Sequence, residues 1–182
     1  MKQFEKHVPF HLYLDNEIYF ITARTYEKIK YFNSAEKLQA LSKCVSESAK
    51  KYKIDIYAYV ILYNHYHLLV KLSKGKELKN FISYIHGKSG RLAKSWNINP
   101  SRIDPKRIWW NYWDNCIRDE ATFYKRINYI HYNPVKHCYV SKMEDYKYSS
   151  YNGYIKKYGN EFVEDMFRQY PIIDYTNVND RF

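Results

Sequence analysis

Two histidines separated by one residue stand in the stretch "VILYNHYHLLVKL", at residues 60–72. Its aliphatic and β-branched residues predict a β-strand over residues 65–72. Because side chains at i and i+2 leave a strand on the same face, His65 and His67 are predicted to lie side by side, with Tyr66 on the opposite face. Two imidazoles on a rigid strand can clamp a divalent metal ion. An arbitrary H-x-H pair is more often two exposed histidines with no partner, so the assignment depends on other residues.

Those residues come from the segment "EATFYKRINYIHYNPV", predicted to be a helix that begins near Asp119 and ends before Pro134. Its apolar stripe consists of Phe123, Ile127 and Ile130. At roughly 100° per residue, Arg126, Tyr129 and Asn133 lie within about 60° of one another along one edge of that stripe. Tyr129 and Asn133 are an i, i+4 pair. Tyr129 is therefore the tyrosine that can share a site with an amide from its own helix, whereas Tyr132 points nearly opposite the stripe.

The remaining elements must bring this helix to the histidine strand. The pattern predicts a strand over residues 17–25, a helix from an Asn33/Glu36 capping box to Tyr52, strands over 55–62 and 65–72 joined by a tight turn at Tyr63–Asn64, a helix over about 76–96, and a short strand around 112–118. Strand–helix–strand–strand–helix–strand is the ferredoxin-like order. The predicted fold class is α+β, with an antiparallel sheet, helices on one face and the other face free for a ligand.

Composition favours a polyanionic partner. The chain has 30 Lys and Arg against 19 Asp and Glu, a net charge of +11, and 22 tyrosines. Such a surplus points to nucleic acid before membrane, and aromatic faces between basic residues suit unpaired bases. A bacterial genome rich in A and T would give a similar composition. Composition alone therefore does not distinguish a nucleic-acid partner from codon bias. Three scattered cysteines, no secretory signal and no long apolar run predict a soluble cytoplasmic protein near the nucleoid.

The two motifs resemble those of a known family. The stretch "YNHYHLLVKL" is similar to the HUH signature strand of single-tyrosine transposases. The stretches "YIHYNPVKHCYV" and "DYKYSSY" resemble the C-terminal block of REP-associated tyrosine transposases, and the likeness spans about residues 17–151. Two positions depart from the pattern: Tyr66 stands where an aliphatic residue is usual, and Tyr63 where a proline is common. Neither change removes a functional group.

The resemblance implies an HUH nuclease, which is a metal-dependent single-stranded DNA endonuclease and strand transferase that cleaves near DNA hairpins through a 5′-phosphotyrosine. Carried over by motif, Tyr129 would be the nucleophile, and His65, His67 and Asn133 would be ligands of Mg²⁺ or Mn²⁺. Arg126 would lower the pKa of Tyr129 and hold the phosphate. One domain is expected over residues 1–182, with a core of about 17–135 and a C-terminal extension of about 136–182. Whether the protein is a monomer or a homodimer stays open.

Further basic residues are candidates for contacts with the DNA backbone of a hairpin, although a solvated basic face would look the same. They are Lys88, Arg91 and Lys94 in the second helix and Arg102, Lys106 and Arg107 in the following loop. Trp109, Trp110 and Trp113 are expected in the core. No catalytic role is expected for His131 or His137, and the role of His86 stays open.

Three other functions fit parts of the sequence. A catalytically silent protein that binds DNA hairpins would keep the same residues without cutting. An RNA-binding module of ferredoxin-like fold would share the topology but would not need the histidine pair beside Tyr129. A relaxase or replication initiator of the wider HUH class would be larger than this chain, which argues against it.

Overall fold

The computed structural model describes residues 13–96 and 107–173. Arg102 and Lys106 lie outside these residues. The strands are β1 (Glu17–Thr25), β2 (Asp55–Ile61), β3 (His65–Leu72) and β4 (Trp109–Ile117), and the helices are α1 (Ala35–Tyr52), α2 (Glu77–Ser95), α3 (Glu120–Lys136), α4 (Tyr151–Tyr158) and α5 (Asn160–Gln169). Within the described ranges, no helix is both long and apolar enough to cross a membrane.

The four strands form one sheet in the order β2-β3-β1-β4, and every neighbouring pair is antiparallel. Short 3₁₀ turns lie at Tyr26–Lys28 and Met143–Asp145. The two crossing helices α1 and α2 pack against each other. This arrangement confirms the predicted ferredoxin-like α+β fold.

Strand alternation divides the core into two layers. On the first face, Ile21 and Tyr66 are fully buried with the apolar stripes of α1 and α2. On the second face, Phe20 and Leu69 are buried with Ile127 of α3. The expectation that the second face would be free is wrong, because α3 packs against β2 and β3 there. The stripe on α3 is long and apolar enough to need a partner of its own.

Two elements begin at residues that differ from the prediction. The N-cap of α1 is Ser34, whose Oγ accepts a hydrogen bond from the Lys37 backbone N–H at 3.4 Å, and not Asn33. Strand β4 begins at Trp109, three residues before the predicted start. A register shift opposite Ala23 and Thr25 of β1 lets this earlier segment join the sheet.

Helix α3 continues through Pro134 to Lys136, so the prediction that it ends before the proline is wrong. A proline costs about 3 kcal/mol in a helix interior, chiefly through its missing N–H and its ring. Pro134 is buried and stands in the last turn, where the carbonyl of Asn133 accepts from His137 N at 3.1 Å and its own carbonyl accepts from Tyr139 N at 2.9 Å. These bonds hold the final turn. Tyr129 and Asn133 consequently lie on one continuous helix.

The C-terminal segment covers the exposed edge of β2. The Ile61 backbone N–H donates to the Tyr148 carbonyl at 2.9 Å, and Ser150 N–H donates to the Tyr59 carbonyl at the same distance. The Asn128 amide of α3 donates to the carbonyls of Met166 at 3.0 Å and Tyr170 at 2.7 Å. The extension therefore wraps the domain and protects an edge strand from pairing with other chains.

Gly75 offers a test of the packing beneath the first strand. A Cβ at this position would lie 2.5 Å from the Leu14 carbonyl oxygen, which is backbone and cannot rotate away. We expect Gly75→Ala to lower the free energy of unfolding by about 1–3 kcal/mol, measured by urea denaturation. The matched control is Gly153→Ala in α4, where no atom lies within 4 Å and the change should stabilise by about 0.5–1 kcal/mol. Equal effects of the two substitutions would contradict this packing.

Candidate active site

The histidine pair projects from β3 onto the second face of the sheet, as predicted. The ring centroids of His65 and His67 are 5.2 Å apart and the ring planes meet at 77°. In the register with β1, His67 pairs with Thr22 and His65 pairs with Arg24. His67 is buried and His65 is half-buried. Tyr66 lies in the core of the opposite face, which explains why a large residue fits between the histidines.

Hydrogen bonds fix which ring nitrogen of His65 carries its proton. The Asn64 Nδ2 donates to the Lys28 carbonyl at 3.0 Å, so the Asn64 Oδ1 is left to face His65 Nδ1, at 2.8 Å. Burial, and then the neighbouring His137, lower the pKa of His65 to about 3, so the ring is neutral near pH 7. A neutral ring has one N–H and two amide oxygens face it, so the shorter distance, 2.8 Å to Asn64 Oδ1 against 3.3 Å to Asn133 Oδ1, favours the Nδ1–H form. The Nε2 lone pair is therefore available as a ligand.

That lone pair faces an asparagine. The Asn133 Oδ1 lies 3.3 Å from His65 Nε2, and Asn133 is completely buried. The Asn133 Nδ2 has no hydrogen-bond partner within residues 13–96 and 107–173. A buried amide with an orphan donor needs an explanation. An oxygen and a nitrogen lone pair aimed at each other repel, and a cation bound by both atoms would remove the repulsion.

These atoms fit a divalent ion with imidazole and amide donors. Across the described part of the chain, no group of three or more His, Cys, Asp or Glu side chains could hold a metal. The nearest further oxygen beside His65 is the Asn133 amide Oδ1, so Asn133 stays the predicted third donor with His65 and His67.

His67 is held from three sides. Its Nδ1 lies 2.8 Å from Thr22 Oγ1, and its ring stacks on Phe20 at a centroid distance of 5.5 Å and an angle of 13°. The Tyr129 ring meets it edge-on at 5.2 Å and 71°. Burial, followed by the charge of His65, holds the pKa of His67 well below its usual range. His67 is thus a neutral, oriented donor next to the candidate nucleophile.

Tyr129 is buried between His67 and Phe20, whose ring lies 6.0 Å away. The Lys136 Nζ lies 5.1 Å from the centre of the Tyr129 ring. Arg126, the cation that we expected to serve Tyr129, lies over Phe20 at 4.3 Å, and its role toward Tyr129 stays a prediction. The sequence analysis missed Lys136, although its position seven residues after Tyr129 on the same helix is a signal that could have found it.

The histidines and Tyr129 line a cavity of about 260 Å³ with a cationic rim. Its other lining residues are Thr22, Arg24, Lys28, Lys30, Asn64, Lys136, His137 and Tyr139. The His137 ring lies 4.9 Å from that of His65, so it belongs to the site wall although the sequence analysis gave it no role. The rim carries no carboxylate among these residues. Such a cavity favours an anionic ligand.

Among the described residues, the other candidate DNA contacts do not line this cavity. Lys88 of α2 forms an ion pair with Glu47 of α1, and Arg91 and Lys94 are exposed on the same helix. Helix α2 covers the first face of the sheet, opposite the site. Arg107, at the start of β4, lies over Trp110 at 4.6 Å. The role of these residues in binding DNA stays a prediction.

The remaining aromatic candidates divide between core and surface. Trp109 is buried, as expected, but Trp110 and Trp113 are half-buried and lie outside the hydrophobic core. His86 stacks on Trp109 at 4.6 Å and its Nε2 lies 3.0 Å from the Tyr66 hydroxyl, so it packs on the first face. His131 is buried with its Nε2 2.9 Å from Ser150 Oγ. Both histidines contribute to packing and hydrogen bonding of the fold, and neither lines the cavity.

The fold and the site combine a ferredoxin-like sheet with a cationic cavity that a tyrosine and two neutral histidines line. The family described as "Transposase IS200 like" matches residues 14–133, well over half of the chain. The chain therefore belongs to the IS200-like transposase family. This confirms the family predicted from the sequence.

Similar proteins agree with this assignment. The chain is 27% identical over 147 residues to a REP-associated tyrosine transposase of Haemophilus influenzae, covering 76% of this chain and 82% of that protein. It is 24% identical over 115 residues to the REP-associated tyrosine transposase of Escherichia coli, covering 63% of this chain and 64% of that protein. A solved REP-associated tyrosine transposase bound to a REP hairpin shares the fold, with a TM-score of 0.69 at 20% identity, and the match covers 82% of this chain and 86% of that one.

The proton position on His65 can be measured directly. In metal-free protein at neutral pH, the ¹⁵N chemical shifts of His65 should show the Nδ1–H form, because the Asn64 Oδ1 accepts that proton. Asn64→Leu removes the acceptor and should give a mixture of the two neutral forms. Asn80→Leu, an exposed asparagine of α2, is the control and should leave the His65 signals unchanged. A wild-type His65 that carries its proton on Nε2 would overturn the assignment.

Proposed function

We propose that this protein is a transposase that cuts and rejoins single-stranded DNA beside hairpins, depends on a divalent metal, and forms a 5′-phosphotyrosine on Tyr129. The observation that carries the proposal is that Tyr129 and the neutral His65 and His67 line one cationic cavity. The Asn133 Oδ1 lies behind them, 3.3 Å from His65 Nε2. Membership of the transposase family supports it. The solved relative bound to a REP hairpin supports a hairpin as the recognised DNA.

His65, His67 and Asn133 would hold Mg²⁺ or Mn²⁺, and the two imidazoles favour Mn²⁺. When bound, the ion would stabilise negative charge on the oxygens of the phosphodiester that is cleaved. Because burial keeps both imidazoles neutral, their lone pairs are available as donors near pH 7. The hydrogen bonds of the two rings with Asn64 Oδ1 and Thr22 Oγ1 orient them, which is the usual function of groups that contact metal ligands.

Tyr129 would attack the scissile phosphorus through its phenolic oxygen. The new bond joins that oxygen to the 5′-phosphate, the bond to the 3′-oxygen breaks, and the 3′-oxygen leaves as a hydroxyl after taking up a proton. The phenolic proton is lost to solvent. Lys136 lies near enough to Tyr129 for its charge to stabilise the attacking phenolate.

The covalent link keeps the free energy of the phosphodiester. The 3′-hydroxyl of another strand can therefore attack the phosphotyrosine and complete strand transfer without a nucleotide cofactor. On the cavity rim, Arg24, Lys28 and Lys30 would bind the neighbouring phosphates and hold the strand in place.

One observation argues against an RNA-binding module of the same topology. Such a module uses the open face of its central strands to stack bases. Here β1 and β3 carry Thr22 and His67 at the middle of that face, and α3 covers the neighbouring strand β2. The histidine site therefore occupies the positions at which an RNA-binding module would stack bases.

The nucleophile is tested by trapping the adduct. Single-stranded DNA from the flanks of the gene is incubated with Mn²⁺ and the protein, and an SDS-resistant protein–DNA adduct is expected with wild type. Tyr129→Phe should abolish it because the attacking oxygen is gone. Tyr132→Phe, which alters an exposed tyrosine of the same helix, should leave it intact.

Other outcomes would overturn parts of the proposal. An adduct that persists in Tyr129→Phe and is lost in Tyr132→Phe would move the nucleophile to Tyr132. The absence of any adduct with Mg²⁺ or Mn²⁺, together with tight hairpin binding, would indicate a catalytically silent binding protein.

The metal ligands are tested by binding Mn²⁺ alone, followed by electron paramagnetic resonance without DNA. Asn133→Ala and His65→Ala should each weaken Mn²⁺ affinity at least about tenfold, because each removes one donor. Asn80→Ala is the control and should leave the affinity within about twofold of wild type. Unchanged affinity in both site variants would show that Mn²⁺ binds elsewhere. Circular dichroism would confirm that each variant is folded.

A further inference from the structure

Only half of the second face is used by the candidate active site. Helix α3 packs mainly against β2 and β3, while β4 makes its extensive contacts with β1. Trp113 of β4 pairs with Thr22 of β1, and paired residues in antiparallel strands share a face. Because Thr22 contacts His67, Trp113 lies on the same face as the site.

Three aromatic rings and two arginines lie in two groups at β1, β4 and the residues adjoining these strands, and we call them together the β1–β4 strip. Its members are Arg24, Tyr26, Arg107, Trp110 and Trp113. The Arg24 guanidinium lies 5.6 Å from the Trp113 ring. The Arg107 guanidinium lies 4.6 Å from Trp110 and 5.6 Å from Tyr26, and those two rings are 5.1 Å apart at 30°. All three rings are half-buried, so each has a part of its surface open to solvent.

The β1–β4 strip is continuous with the cavity. Arg24 belongs to both, since it lines the cavity and pairs with His65 in the register of β1 with β3. Lys28 and Lys30 follow on the same rim. Two acidic residues lie near: Glu27 interacts electrostatically with Arg24, and Asp114 pairs with Ile21, which faces the opposite layer.

We propose that the β1–β4 strip binds the unpaired nucleotides of the DNA strand next to the scissile phosphate, with bases stacked on Trp110 and Trp113. Aromatic faces between cations are the usual means by which proteins hold single strands without reading every base. Both parts of a nucleotide find a partner here, because bases can stack on the aromatic rings and phosphates can pair with the arginines. The inference rests on the proposed function and adds to it a location for the single strand.

The test is the affinity of the full-length protein for a labelled oligodeoxythymidylate of about 10 nucleotides, measured by fluorescence anisotropy in EDTA so that no cleavage occurs. Trp113→Ala and Trp110→Ala should each weaken binding about fivefold to 150-fold, the loss typical of one stacked base. Trp113→Phe keeps an aromatic face and should restore most of the affinity. Tyr158→Ala, an exposed aromatic of α4, is the control and should change it less than twofold.

Thermal unfolding of each variant separates lost binding from lost folding, and Trp113→Phe gives a second variant if Trp113→Ala does not fold. Arg24→Gln should reduce the slope of log affinity against log salt concentration by about 0.7, the value for one phosphate contact on a single strand. Unchanged affinity in folded Trp113→Ala and Trp110→Ala would overturn the proposal. Tighter binding of oligouridylate than of oligodeoxythymidylate would also overturn it.

These results are independent of the adduct assay. If wild type forms the Tyr129 adduct while the tryptophan variants bind oligodeoxythymidylate normally, the β1–β4 strip has no role in binding and the proposed transposase activity stands. If wild type forms no adduct and does not bind the oligonucleotide, both proposals fail.

Discussion

The docking of α3 against β2 and β3 is the constraint on which the site depends. His65 comes from β3 and Asn133 from α3, and this docking brings their side-chain atoms to 3.3 Å. Ile127 and Ile130 anchor the helix in the second core layer. The Asn128 amide ties the opposite side of α3 to the C-terminal segment through two backbone carbonyls. A rotation of α3 by one residue, roughly 100°, would turn Asn133 away from His65. The C-terminal segment therefore helps to position the site, and its first residues, Lys136, His137 and Tyr139, also line the cavity.

The site keeps its two histidines neutral and places its positive charges around them, on the rim of the cavity. Burial makes His65 and His67 neutral, and both are oriented by hydrogen bonds at Nδ1. The positive charge lies around them, on arginine and lysine side chains of the rim. A site ligated by carboxylates would cancel part of a metal ion's charge and repel a phosphate. Neutral ligands would leave the full charge of a bound ion for the phosphate, and the cationic rim attracts the anionic substrate.

The sequence predicted features that follow from local periodicity and missed those that depend on tertiary contacts. The period of two in a strand placed His65 and His67 together, and the i, i+4 spacing placed Tyr129 beside Asn133. The rule that proline ends a helix failed at Pro134, because burial and the bonds of the last turn outweigh a local preference. The cationic rim was missed for another reason. Arg24 and two lysines reach the cavity from β1 and the turn that follows it, and no local pattern records that approach.

The structure explains how the fold accommodates Tyr66 and Tyr63, the two residues that depart from the family pattern. Tyr66 lies between the histidines in sequence but on the other face of β3, where it is completely buried and its hydroxyl lies 3.0 Å from His86. Tyr63 precedes the strand, and its ring packs edge-on against Tyr139 of the cavity wall at 4.6 Å and 87°. Strand alternation lets the packing face vary while the histidine face stays fixed. Tyr63 is different, because its partner belongs to the cavity, and a proline there would leave that part of the wall without its aromatic support.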